Sequence, residues 1–144
     1  MLLAFHSATT MTSDLETDVA ITAQAGFRAL ELWAGKIDRY LVDHTLADLN
    51  ALLVHHHVQA LAINSIEFIA FRGDEYAQVQ ARLHTLGRVA SAIGCPTVVV
   101  VPSPSPGWDV SWPAVVAEYV QVLRELSDIA QTYARVATQN FGQD

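Results

Sequence analysis

Four short apolar runs punctuate the chain, Leu2–Phe5, Ala29–Leu32, Ala60–Ile63 and Thr97–Val101, and each is followed by residues with helical periodicity. The runs have the length of strands. The last, TVVVV, is apolar on both faces, which suits a parallel strand covered on both sides. The first helical segment opens on Ser13-Asp14-Leu15-Glu16, a capping-box pattern, and stops at Gly26. The second opens on Thr45-Leu46-Ala47-Asp48 and carries Leu46, Leu49, Leu52 and Leu53 on one stripe. The third runs from Glu75 to Gly94, with Val79, Leu83, Leu86, Ala90 and Ile93 spaced by threes and fours. The fourth opens on Ser111-Trp112-Pro113, with proline inside the first turn, and its stripe is Val116, Tyr119, Val120, Leu123, Leu126 and Ala130.

Strand and helix therefore alternate four times, which predicts an α/β fold of parallel strands joined by crossover helices. Two architectures use that order, a doubly wound open sheet and a (β/α)8 barrel. After the first strand stands HSATTMTS, where a dinucleotide-binding sheet carries a glycine-rich phosphate loop, and this weakens the doubly wound reading. A barrel takes about 250 residues, so four βα units are half of one. Past Tyr133 the tail ARVATQNFGQD shows neither a strand run nor a helical stripe. The expected organisation is a half-barrel over residues 1–133 and an atypical tail over 134–144.

Composition narrows the function classes. The 144 residues are 51% hydrophobic, enough for one domain with a proper core. A net charge of −7 disfavours a nucleic-acid face or an anionic membrane as partner. One cysteine, Cys95, excludes an internal disulfide and a four-cysteine zinc site, and is read as a buried, inert thiol. The N-terminal MLLAFHSATT lacks the basic start of a signal peptide, and no apolar run approaches a membrane span, so a cytoplasmic location is expected.

In parallel α/β folds, ligands bind at the carboxyl ends of the strands. Those ends carry His6, then Glu31 and Trp33, then Asn64, then Pro102 and Ser103. An imidazole, a carboxylate, an aromatic wall and an amide suit a polyhydroxylated small molecule. The bland alternative is that Glu31 and Asn64 satisfy loop backbone while Trp33 packs under a helix. The run His55-His56-His57 cannot converge on one ion from a helix, where successive side chains diverge by about 100°; it is read as a helix end, and no metal site is expected. His44 and His84 are read as surface or capping residues, and Trp108 and Trp112 as packing residues that could also lid a site. Phe68 and Phe71 share that ambiguity.

Several segments together carry a resemblance: Phe5-His6-Ser7-Ala8-Thr9-Thr10, Asp43-His44-Thr45-Leu46-x-Asp48-Leu49, His56-His57-Val58-x-x-Leu61-Ala62-Ile63-Asn64 and Leu126-Ser127-Asp128-Ile129-Ala130. They resemble the N-terminal half of the inosose (2-keto-myo-inositol) isomerase family, within the xylose-isomerase-like barrels that include sugar phosphate isomerases, epimerases and endonuclease IV. The resemblance covers residues 1–133 and implies a (β/α)8 barrel acting in carbohydrate metabolism, here inositol catabolism. It implies proton transfer between adjacent carbons of a ketose-like substrate, with one divalent metal such as Mn, Co, Mg or Zn held by acidic and histidine ligands of strands five to eight. Pocket walls and substrate hydrogen bonds come from the first four strands, a role that falls here on His6, Glu31, Trp33 and Asn64. The pattern breaks after Tyr133. Ala134 replaces a glycine, Arg135, Thr138 and Gln139 interrupt the apolar strand, and Asn140 stands before Phe141 where the family has a metal-binding glutamate.

The expectation is an N-terminal fragment of a sugar isomerase or epimerase, cut short by truncation or frameshift, binding no metal and inactive as an isolated chain. The alternative is a non-catalytic ligand-binding or self-associating remnant; within enzymes, relatives are inosose dehydratase, hydroxypyruvate isomerase and ketose 3-epimerase. Its partner would be a small polyol or keto-sugar. Half-barrel pairing into a homodimer is also expected, burying an inward set of Leu3, Phe5, Leu30, Leu61, Val99 and Val101, or else the alternate set.

Overall fold

In the computed structural model, which describes residues 2–140 with side chains through Tyr133, four parallel strands lie side by side in chain order. They are β1 (Ala4–His6), β2 (Ala29–Trp33), β3 (Gln59–Ile66) and β4 (Val98–Val100). A doubly wound sheet reverses its direction of growth at a switch point, whereas a barrel adds every strand to the one before it. The order β1-β2-β3-β4 is the second kind, and it decides between the two architectures that the alternation left open.

Helices α1 (Leu15–Gln24), α2 (Ala34–Tyr40), α3 (Leu46–His55), α4 (Tyr76–Ala92) and α5 (Trp112–Asn140) connect and follow the strands. The capping box at Thr45 and Asp48 forms as the sequence predicts, with Thr45 Oγ1 accepting from Asp48 N and Asp48 accepting from Thr45 N. At α1 the cap is Asp14, which accepts from Thr17 N at 2.7 Å, and not Ser13. The Ser13 hydroxyl is engaged elsewhere, with Thr10 O and Asp18. Helix α2 goes unread in the sequence, because AGKIDRY is short and carries a glycine. Helix α5 continues as backbone through Asn140, across the break expected at residue 133. No glycine or proline interrupts residues 114–141, so nothing in the local sequence stops the helix. Residues 141–144 of the expected tail lie outside the described residues.

Alternation along β2 sorts the two faces of the sheet. Leu30 and Leu32 are fully buried in the core with Ile63, Leu49, Leu53, Leu83 and Leu86, whereas Glu31 and Trp33 between and beyond them are half-buried. Phe5 packs on the same core. Strand pairing then carries the open face across the sheet: His6 lies beside Glu31 and Glu31 beside Ala62, while Trp33 lies beside Asn64 and Asn64 beside Val99. The expected inward set is therefore split: Phe5 and Leu30 belong to the helix side, where Val98 and Val100 also pack, whereas Val99 lies beside Asn64 on the open face. Strand β4 is half-buried along its length and is not covered on both faces among the described residues.

Candidate functional site

Three of the four predicted site residues meet on the open face, at the carboxyl ends of β1, β2 and β3. Asn64 Nδ2 donates to Glu31 Oε1 at 2.8 Å, and His6 Nε2 stands 3.6 Å from the same oxygen. An imidazole, a carboxylate and an amide are thus aligned across three neighbouring strands. The side chains of His6 and Glu31 are partly open, 37% and 28% exposed, so solvent or a ligand reaches them.

Local structure positions each of them. His6 closes β1 and caps the 3₁₀ turn Ser7–Thr10, its Nδ1 accepting the Ala8 N–H at 3.1 Å, while its carbonyl accepts from Thr9 Oγ1. Ser7, fully buried, accepts the Trp33 N–H through Oγ at 2.6 Å and so ties the end of β1 to the end of β2. Sequence reading missed Ser7, although its place one residue past a strand end was the available signal. Trp33 does not join the hydrogen-bonded line. Its ring lies against Gly35, and the Arg39 guanidinium sits 5.4 Å from the ring centroid, a cation–π contact that leaves Trp33 half-buried.

The fourth strand end serves the scaffold. Ser103 Oγ accepts from Ala70 N at 3.0 Å and donates back to Ala70 O, and Ser103 N donates to Tyr119 Oη at 2.9 Å. This ties the loop after β3 to the loop after β4. Phe71 N donates to Glu118, and the Phe71 ring meets Tyr119 edge-on at 6.1 Å. Trp108 and Trp112 do not pack in the core as the sequence suggests; both are exposed, Trp108 completely. Trp108 lies in the proline-rich loop before α5 and Trp112 opens the helix, with no apolar layer above them among the described residues.

The histidine run closes a helix, as read. His55 ends α3 and His56 is its C-cap, their rings meeting edge-on at 5.0 Å between centroids, and His57 follows with φ 55°. His44 stacks on Tyr40 and its Nδ1 lies 3.1 Å from Tyr40 O, while His84 lies on the surface within 2.7 Å of Tyr133 Oη. Burial pushes the Cys95 thiol up from its ordinary value, and Sγ donates to Thr97 O. Among the described residues no three His, Cys, Asp or Glu side chains gather to hold a metal ion. His6 and Glu31 make a pair, and catalytic zinc takes three protein ligands. The donors present therefore do not fit a divalent metal without further ligands.

Sheet order and an open face at the strand ends define an α/β protein of the (β/α)8 type, and sequence comparison agrees. The model of the xylose isomerase-like TIM barrel family matches residues 19–144, and the chain belongs to that family. More particularly, it is 31% identical over 141 residues to the inosose isomerase of Bacillus velezensis, covering 92% of this chain and 48% of the relative. The inosose isomerase of Halalkalibacterium halodurans is 30% identical over 146 residues, covering 99% and 51%. The chain spans about half the length of the curated relatives it matches. Among solved structures, the IOLI protein with a bound zinc atom has a TM-score of 0.85 at 30% identity, covering 92% of this chain and 49% of that one. The probable 3-DHS dehydratase AsbF of Bacillus anthracis shares the fold, with a TM-score of 0.76 at 16% identity over 93% of this chain and 50% of its own. No described helix is long and apolar enough to cross a membrane.

Proposed function

We propose that this chain supplies the substrate-binding wall of an inosose-type sugar isomerase or epimerase, with His6, Glu31 and Asn64 holding ligand oxygens and Trp33 bounding the pocket. The observation that carries this reading is the three-strand line of imidazole, carboxylate and amide at the mouth of a half-barrel. Such groups orient a cyclic polyol or keto-sugar by paired hydrogen bonds. Moving a proton between carbons takes a positioned base and a means of holding the charge that develops on oxygen. Glu31 is the only carboxylate of the line, and one of its oxygens is already engaged by Asn64.

On this reading the 144-residue chain alone does not turn over 2-keto-myo-inositol, and strands five to eight of a related barrel are needed to complete the site. The test is an isomerisation assay of the chain alone and after mixing with such a half, with manganese or cobalt present. Turnover in the mixture that falls when Glu31→Gln is introduced supports the proposal. Turnover by the isolated chain that survives chelation overturns it.

A second reading, a self-associating half-barrel, is favoured by one feature of the sheet. Strands β1 and β4 both lie at its edges, and an open parallel edge presents unpaired N–H and C=O groups. An apolar groove of about 590 Å³ lies between β4, α4 and α5, and the α5 stripe of Trp112, Val116, Val120 and Leu123 is exposed. Two copies pairing β1 with β4 about a two-fold axis would close both edges.

A further inference from the structure

The ring of His6 is oriented by its own backbone. Nδ1 accepts the Ala8 N–H at 3.1 Å. An accepting nitrogen holds a lone pair and no hydrogen, so the ring hydrogen is assigned to Nε2, on the side facing Glu31. That donor has no partner among the described residues, because 3.6 Å to Glu31 Oε1 is beyond hydrogen-bond length. Beside it, Glu31 Oε1 is taken by Asn64 Nδ2, and no described residue donates to Glu31 Oε2. A free N–H and a carboxylate with spare lone pairs thus stand next to each other on an open face.

One common ligand group answers both. A hydroxyl oxygen placed about 2.8 Å from each partner accepts from Nε2–H and donates its hydrogen to the carboxylate. A ketone oxygen accepts from His6 but brings no hydrogen to Glu31, and it sets two acceptors face to face. We infer that His6 and Glu31 together read a hydroxyl group of the ligand, His6 as a fixed Nε2–H donor and Glu31 as the acceptor, and that His6 is not a metal ligand. The metal exclusion follows from the same bond. A histidine that binds a metal through one nitrogen donates from the other, but the other nitrogen of His6 already faces a donor, the Ala8 amide. The inference rests on the polyol reading of the mouth for its ligand, and on the backbone alone for its tautomer.

The experiment separates those two parts. Long-range proton–nitrogen correlation spectra of the ¹⁵N-labelled chain, with His6 assigned by its loss in His6→Gln, should show an unprotonated Nδ1 and a protonated Nε2. A protonated Nδ1, or a His6 nitrogen that responds to equimolar zinc, overturns the assignment. Titration with myo-inositol should then shift the His6 ring resonances. His6→Gln keeps an N–H near the Nε2 position and should retain binding within about threefold, whereas His6→Asn keeps an acceptor for Ala8 N–H, loses the donor, and should weaken binding about tenfold. Equal loss in the two variants overturns the donor role. A correct tautomer with no response to inositol anywhere on the open face overturns the hydroxyl ligand and the polyol reading, and leaves the tautomer standing.

Discussion

Lys36 and Asp18 form an ion pair in which both side chains are completely buried. Lys36 is the only lysine of the chain. Besides Asp18, its ammonium donates to Thr10 O at 2.7 Å and Ser13 Oγ at 3.0 Å, and Asp18 also accepts from Thr10 Oγ1 and Ser13 Oγ. Every partner belongs to α1 or to the segment before it, while Lys36 belongs to the first turn of α2. The pair therefore locks the loop after β1, on which the His6 cap depends, against the helix after β2.

Removing one partner leaves the other as an uncompensated buried charge, which costs about 3–5 kcal/mol. Lys36→Ala should lower stability by that amount in urea unfolding and loosen the Ser7–Thr10 turn, seen as faster amide exchange at Ala8. Lys36→Met with Asp18→Leu removes both charges and should recover part of the loss. If Lys36→Ala melts like the parent, the pair contributes nothing.

At Gly87 of α4 the Tyr133 ring of α5 packs directly against the helix backbone. A Cβ placed there would clash with the Tyr133 ring. Alanine for glycine inside a helix ordinarily stabilises by about 1 kcal/mol. Here overpacking reverses the sign, and Gly87→Ala should cost about 1–3 kcal/mol. Adding Tyr133→Ala should bring the double variant above the sum of the singles in a double-mutant cycle, since it clears the clash.

The helix caps add a contribution to stability that depends on pH in the acid range. Hydrogen bonds from Thr17 hold Asp14 below its ordinary value of 3.8, and hydrogen bonds from Thr45 do the same for Asp48. Unfolding restores the ordinary value, so in the acid range the unfolded chain binds more protons. The stabilisation is complete above pH 3.8 and is lost as pH falls through the lowered values. Thr45→Ala should return the Asp48 carboxyl midpoint toward 3.8 in a carbon NMR titration. Asp14→Ala should cost about 1 kcal/mol at neutral pH and less at pH 2. An equal cost at both would show that the carboxylate charge is irrelevant to the cap.

Open edges predict concentration-dependent association. Light scattering after size exclusion should show dimers at micromolar chain, and Val120→Lys on the exposed α5 stripe should shift the equilibrium toward monomer. A cooperatively melting monomer across that range would overturn half-barrel pairing.

The alternation of strands and helices, the Thr45–Asp48 capping box and the three strand ends bearing His6, Glu31 and Asn64 were legible in the sequence. Each depends on periodicity or on residues a turn apart, and local spacing is what a sequence displays directly. The similarity to inosose isomerases was legible too, in the segments around His6, Thr45 and Asn64.

Tertiary structure decided the rest. The order of strands selected the barrel, and burial of Leu30 and Leu32 assigned the open face to Glu31 and its neighbours. The exposure of Trp108 and Trp112, the short helix around Lys36 and the buried role of Lys36 itself were equally unreadable. A single lysine between apolar residues looks like surface until Asp18, Thr10 and Ser13 are brought around it. Side-chain chemistry is fixed by composition, but solvation and partnership are set by residues distant along the chain, and those determine what His6 and Glu31 can hold.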